Sequence, residues 1–370
     1  MKIIINTTNL RKGGALQVAL SLIEELKNID DNEYFVFLSP AFDDLVSTVG
    51  LPKNIQIYRF DFPSRFILLD KVISSLNNLE AEINPDCVFT VFGPTYWIPK
   101  SKHVMGFANG IHLYKDLPYL KNLNKLQKLK WFVLGYYHAW LLTRKTDIFI
   151  VETEDMKCRL AKFIHVDEDN IKVVANTHHT IFCHLVNDLN ILPPKRDIDE
   201  FWFITVSAYY PHKNIEVIKK VIPLLNNKRY KFIVTLPNEV FSNIFQGYED
   251  QVMNVGPITI AECPYFYSKA DALFLPTLVE SFTASYPEAM RMYKPILTSN
   301  YSFAKTICQD AALYFDPYDP YEIADRIVSV STDKQLYQEL VENGVKRLNK
   351  FPTALQRAQA YIKYCIDTIS

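Results

Sequence analysis

Ala272-Leu-Phe-Leu-Pro276-Thr-Leu-Val-Glu280-Ser-Phe-Thr283-Ala-Ser-Tyr-Pro-Glu288-Ala-Met-Arg-Met-Tyr293-Lys-Pro295-Ile-Leu-Thr298 reads as strand, loop, helix and strand in quick succession. The apolar run 272–275 is short and ends at a proline, as a buried strand does. A helix is predicted over 286–293, and a second buried strand over 295–298. Two strands joined through a helix make a parallel βαβ unit, which places this stretch in an α/β sheet.

The same rhythm extends outward in both directions. Strands are predicted at 201–207, 231–235 and 251–255, with helices at 215–226, 260–268 and 320–331. An earlier series has strands at 2–6, 34–38, 55–59, 87–91, 103–107 and 148–151, with a helix over 15–27 behind Gly13-Gly14. Between the two series, at 183–200, the chain turns polar and carries Pro193-Pro194, which reads as an interdomain linker. Two doubly wound parallel sheets are therefore expected.

Composition limits the function classes. The 370 residues suffice for two α/β domains. Lys and Arg (40) nearly balance Asp and Glu (41), which argues against a general nucleic-acid binder. The six cysteines are scattered without a CxxC pair, as in a reducing compartment. No apolar stretch is long enough to span a bilayer, so a cytoplasmic protein is expected, with surface attachment to the inner face of the cell membrane left open.

Ligands of open parallel sheets bind at the carboxyl ends of the strands, and three features fall there. Gly13-Gly14 opens a helix, where backbone N–H groups and the dipole face an anion; a tight strand-to-helix connection is the plainer reading. Lys213, where a helix is expected to begin, has the charge to neutralise a diphosphate leaving group, although a lone lysine is usually solvated surface. Glu280 and Glu288 are spaced to hold vicinal hydroxyls, one set on a sugar ring and one on a ribose. For Glu288 in a first helical turn, capping is the plainer reading.

The run from Glu280 through Met290, then Lys294-Pro295-Ile-Leu-Thr298-Ser299-Asn300 and Asp310-Ala-Ala-Leu-Tyr-Phe-Asp316, resembles the C-terminal half of family 4 glycosyltransferases. Lys213-Asn214 is similar to that family's lysine block, and Gly13-Gly14-Ala15 to its glycine loop. The resemblance covers nearly the whole chain. It implies the GT-B fold: a Rossmann-like domain over 1–185, a nucleotide-sugar domain over 186–354, a cleft between them, and a C-terminal helix over 355–370 packing back on the first. It also implies a retaining, hexosyl-type, metal-independent transferase with no cofactor. The donor is a UDP- or GDP-linked sugar, and the acceptor a glycan or lipid-linked glycan in bacterial surface-polysaccharide synthesis, such as that of lipopolysaccharide.

Site residues follow from the resemblance. Glu280 lies by the donor sugar and Lys213 on the diphosphate as the catalytic pair, with Glu288 on the ribose. Backbone near Phe282, Thr283 and Ala284 meets sugar or phosphate. Gly14 admits the phosphates and acceptor, and Pro257 with Ile258 flanks the base. Asn109 is a candidate contact to the donor sugar, against a plain Asn-Gly turn. The sequence departs from the family in having Ala208 where an arginine is frequent and Thr283 where glycine is usual. A β-branched residue resists positive φ, so a different turn is expected there. Rival readings are a GT-B epimerase or phosphorylase, and a non-catalytic nucleotide-sugar-binding subunit of a polysaccharide assembly.

Two metal-like patterns are read as local structure. Asp167-Glu-Asp169 and Asp197-Ile-Asp199 have DxD spacing but sit in polar turns without partners. His178-His179 with Cys183-His184 fits no common zinc spacing, and a hinge or cleft-edge role is preferred. The stretch 115–145 carries Lys115, Lys121, Lys125, Lys128, Lys130, Arg144 and Lys145 against one acid, Asp116, with Trp131, Phe132, Tyr136, Tyr137 and Trp140 between. It suits either peripheral contact with an anionic bilayer or, the reading slightly preferred, an internal helix whose aromatics pack in the first domain.

Overall fold

The structure is a computed structural model describing residues 1–46, 51–63, 71–183, 196–225 and 229–369. It divides into two compact units. One comprises Met1–Asp116, Leu120–Asn176 and Pro352–Ser370; the other comprises Leu117–Tyr119 and Thr177–Phe351. The chain thus leaves the first unit at Asn176. Most of the polar Pro-Pro segment expected as a linker, residues 184–195, lies outside the described residues.

In the first unit the strands are β1 (Lys2–Asn6), β2 (Glu33–Leu38), β3 (Ile55–Arg59), β4 (Cys87–Thr90), β5 (Lys102–Gly106), β6 (Ile148–Val151) and β7 (Ile171–Val173). They form a parallel sheet in the order β3-β2-β1-β4-β5-β6-β7. Side chains alternate across a strand, so β1 feeds two cores. Ile3 and Ile5 pack with Leu22, Val36 and Phe89 on one face, while Ile4 packs with Phe37, Val88 and Trp97 on the other. Burial on both faces explains why these strands read as continuous apolar runs. The C-terminal helix Ala354–Asp367 puts Ala358, Tyr361, Ile362 and Cys365 into the first of these cores, with Tyr361 against Phe89.

A glycine is required at the end of β5. A Cβ on Gly106 would run into the carbonyl oxygen of Val91, which is backbone and cannot swing away. Gly106→Ala is therefore expected to cost about 1–3 kcal/mol of overpacking. A thermal-unfolding midpoint equal to that of the parent would refute this account.

The second unit holds β8 (Phe201–Thr205), β9 (Tyr230–Val234), β10 (Val252–Asn254), β11 (Ala272–Leu275), β12 (Ile296–Ser299) and β13 (Ala312–Phe315). These are parallel in the order β10-β9-β8-β11-β12-β13. One face is built from phenylalanines, with Phe203 stacked on Phe232 and Phe274 on Phe315, under Ile323 and Ile327 of the helix Pro320–Thr332. The helix expected over 215–226 is broken instead. It becomes a 3-10 turn (Ile215–Val217), one α-turn (Ile218–Val221) and a second 3-10 turn (Ile222–Leu224); residues 226–228 lie outside the described residues. Pro223 accounts for the second 3-10 turn, because it donates no N–H and its ring crowds the preceding turn. The helix expected from 260 starts at Cys263, with Pro264 in its first turn.

Candidate active site

Each sheet changes its direction of winding once. In the second sheet the chain proceeds from β8 to β9 on one side and from β11 to β12 on the other. The loops leaving the adjacent carboxyl ends of β8 and β11 therefore diverge and leave a crevice, the usual ligand position in an open parallel sheet. Lys213 lies on the first loop and Glu280 on the second.

After β8, Pro211–Lys213 make a single 3-10 turn closed by the Lys213 amide on the Tyr210 carbonyl at 2.8 Å. Asn214 then takes a left-handed conformation, φ 53°, which asparagine tolerates better than most residues. Its Nδ2 donates to the Pro317 carbonyl at 3.0 Å and anchors the turn. After β11, the Leu278 amide donates to the His212 carbonyl at 2.7 Å, tying the two loops together. Thr277 Oγ1 lies 3.2 Å from that carbonyl and 3.1 Å from Glu280 Oε1, and its single proton serves one at a time.

This scaffold joins Lys213 and Glu280 in a direct ion pair between Nζ and Oε1, although 67 residues separate them in sequence. Their side chains are only 15% and 12% exposed, so the pair is far from a solvated surface contact. His212 stands beside it, stacked on Tyr210. Burial pushes the imidazole pKa below its ordinary value; Glu280 opposes this and the Lys213 ammonium adds to it.

Glu288 lies on the helix Ser285–Arg291 and is buried. Its carboxyl accepts a hydrogen bond from the Tyr267 hydroxyl at 3.3 Å, and the helix start at Ala284 has no side-chain cap. Burial pushes its pKa up to about 7, and the Tyr267 bond only partly offsets this. Donors arriving from a diol would favour the charged carboxylate. The other residues of the segment have local duties. Thr283 keeps a negative φ, so its β-branch is accommodated, and its Oγ1 accepts from the Ser285 amide at 3.4 Å. Phe282 meets Phe351 edge-on, and the Ala284 carbonyl accepts from the Glu288 amide. Pro257 is exposed and Ile258 half-buried just after Gly256, whose φ of 76° turns the chain beyond β10.

In the first unit the winding reverses between β1 and β4. Gly13 there has φ 82°, and Gly14 opens the helix Gly14–Leu26; nothing lies within 4 Å of where a Cβ would stand on either. Asn109 uses its side-chain oxygen locally, accepting from the Ile111 amide at 3.1 Å to cap the short helix Gly110–Leu113. His112 just beyond is buried, with Nε2 2.8 Å from His138 Nδ1 and burial pushing its pKa down to about 3.

Asp167 likewise acts locally, accepting from the Asp169 amide at 3.0 Å. His178 Nε2 lies 3.6 Å from Cys183 Sγ, and His184 is outside the described residues. Among the described residues no group of three or more potential ligands is placed to hold a metal. Sequence reasoning missed Tyr267 as the partner of Glu288 and the His212 carbonyl as the link between loops. Neither carries a periodic or motif signal.

Residues 191–347 match the family model described as glycosyl transferases group 1. The match is confined to this segment, which takes in the second sheet from β8 to β13. The matched segment contains Lys213, Glu280 and Glu288 together with the loops that hold them. The curated O-antigen chain mannosyltransferase RfbU of Salmonella typhimurium is 24% identical over 248 residues, 64% of this chain and 62% of that protein. The chain thus spans less than two thirds of this relative's length. Among solved structures, Anabaena HepE in complex with UDP and glucose is similar at a TM-score of 0.72 and 13% identity, over 99% of this chain and 100% of that one. WaaG, a glycosyltransferase involved in lipopolysaccharide biosynthesis, is similar at 0.71 and 13% identity, over 98% of both chains. The fold is GT-B, with one Rossmann-like parallel sheet in each unit.

Proposed function

We propose that the chain is a family 4 retaining glycosyltransferase that moves a sugar from a nucleoside-diphosphate donor to a glycan or lipid-linked acceptor. The observation that carries this reading is the enclosed Lys213–Glu280 pair at the β8/β11 switch point, with buried Glu288 on the helix that follows. RfbU and WaaG support a place in surface-polysaccharide synthesis, and the UDP in HepE supports a nucleotide donor. Both UDP- and GDP-linked sugars fit the reading.

In this mechanism the Lys213 ammonium faces the donor diphosphate and offsets the charge that grows as the bond from the anomeric carbon to phosphate oxygen breaks. The acceptor oxygen attacks from the same face, and its proton passes to the departing phosphate oxygen. Glu280 positions the sugar and holds the ammonium rather than attacking the carbon. Glu288 accepts from the ribose hydroxyls. Lys213 supplies the cation, so the step is proposed as metal-independent, in the cytoplasm where nucleotide sugars are made.

A thermal-shift panel of UDP- and GDP-sugars tests the donor class. A ligand present at 100 times its Kd stabilises the folded chain by about 2.7 kcal/mol, so one base series is expected to raise the melting temperature clearly. No shift with any nucleotide at millimolar concentration would overturn the reading.

A further inference from the structure

The basic and aromatic stretch forms the helix Lys125–Thr143, opened by an Asn124–Gln127 capping box. The expectation that its aromatics pack inside the first domain holds only for one side. Gly135, Leu141 and Leu142 are buried, and Trp131 lies edge-on to buried His112. The opposite side is apolar as well but open to solvent. Leu126 is 80% exposed, Phe132 72% and Tyr136 78%, and Leu129, Val133 and Trp140 join them. Their spacing of three and four residues sets all six on one stripe.

Six of the fourteen large exposed apolar side chains among the described residues thus lie on this one helix. Solvent-facing positions of a soluble protein's helix are normally polar, so a contiguous stripe of this kind marks a contact surface. Its flanks are basic: Lys121, Lys125, Lys128, Lys130, Arg144 and Lys145 are all exposed. Asp116, the lone acid nearby, is already bound by Arg159. Arg144 lies over the Trp140 ring at 4.6 Å, placing a cation at the edge of the apolar stripe.

We propose that the outer face of helix Lys125–Thr143 lies in the surface of an anionic bilayer, with the apolar stripe in the acyl boundary and the lysines among the headgroups. Charge complementarity selects this occupant. A protein partner covering an apolar stripe has no need of a basic border, whereas an interfacial helix combines apolar area with cations facing anionic lipid. No helix among the described residues is long and apolar enough to cross a membrane, so the contact is peripheral. This contact is independent of which sugar or base the site takes.

The full chain is tested by co-sedimentation with vesicles of phosphatidylcholine alone and with added phosphatidylglycerol, at low and high salt. Binding is expected only to the anionic vesicles and is expected to weaken with salt. Lys128→Ala with Lys130→Ala should lower partitioning roughly 25-fold, about fivefold for each cation removed. Phe132→Ser with Tyr136→Ser should abolish it. All four side chains face solvent, and an unchanged melting temperature checks that the variants fold. Absence of binding at low salt would overturn the proposal, as would equal binding by the Phe132/Tyr136 variant. Concentration-dependent dimerisation lost in that variant, without vesicle binding, would assign the face to a second copy of this chain and equally overturn it.

Discussion

Lys213→Ala is expected to slow sugar transfer by about 10²–10³-fold, the loss typical when one preorganised group facing developing negative charge is removed. The ground state makes the experiment more demanding than a lone surface lysine would. Lys213 and Glu280 are paired and mostly enclosed, so removing either partner strands the other's charge. Glu280→Ala should therefore lower stability as well as activity. Glu280→Gln retains an amide oxygen for the Lys213 ammonium and for Thr277, and should separate the two effects. Its melting temperature should fall less than that of Glu280→Ala, because a hydrogen-bond acceptor remains, while turnover falls as far. Steady-state rates with the donor identified by thermal shift would decide. Turnover within a few-fold of the parent in both Lys213→Ala and Glu280→Gln would remove the pair from the chemistry.

Glu288 supplies the second large effect, through pH. Its folded-state pKa is raised from an ordinary 4.5 to about 7, chiefly by burial. A raised carboxyl pKa means that the folded chain holds the proton more tightly than the unfolded chain. The associated stability is complete below about pH 4.5 and is lost as pH rises through 7. The difference corresponds to on the order of 3 kcal/mol. Glu288→Gln removes this titration. It should melt higher than the parent above pH 7 and lose the parent's decline between pH 5 and 8. Nucleotide binding should show the opposite trend in the parent. A ribose diol donating to Glu288 favours the carboxylate, so affinity should rise with pH across the same window and become flat in Glu288→Gln. Parallel stability profiles for parent and variant would show that Glu288 is not the titrating group.

The parallel sheets were legible because both faces of their strands are buried, which leaves short apolar runs such as Ile3–Ile5 and Leu273–Leu275 standing out between helices. Glu280 and Glu288 were legible because they share one strand-loop-helix segment. The break at Pro223 was also written in the chain, but the apolar periodicity around it masked it. Helix Lys125–Thr143 was ambiguous for a plain reason: it is apolar on two opposite sides, and periodicity does not say which side meets the protein.

The sequence by itself determined the α/β class and the family resemblance, and it named Lys213, Glu280 and Glu288, because local patterning and motif spacing are properties of neighbours along the chain. Tertiary structure decided what those residues touch. Strands β8 and β11 are adjacent only because the sheet changes its winding there, and that adjacency brings Lys213 onto Glu280. Glu288 meets Tyr267 because the fold brings that side chain, from the helix Cys263–Lys269, within hydrogen-bonding reach of it. Burial, which sets the pKa of Glu288 and exposes Phe132 and Tyr136, is a property of the packed molecule that no stretch of sequence carries alone.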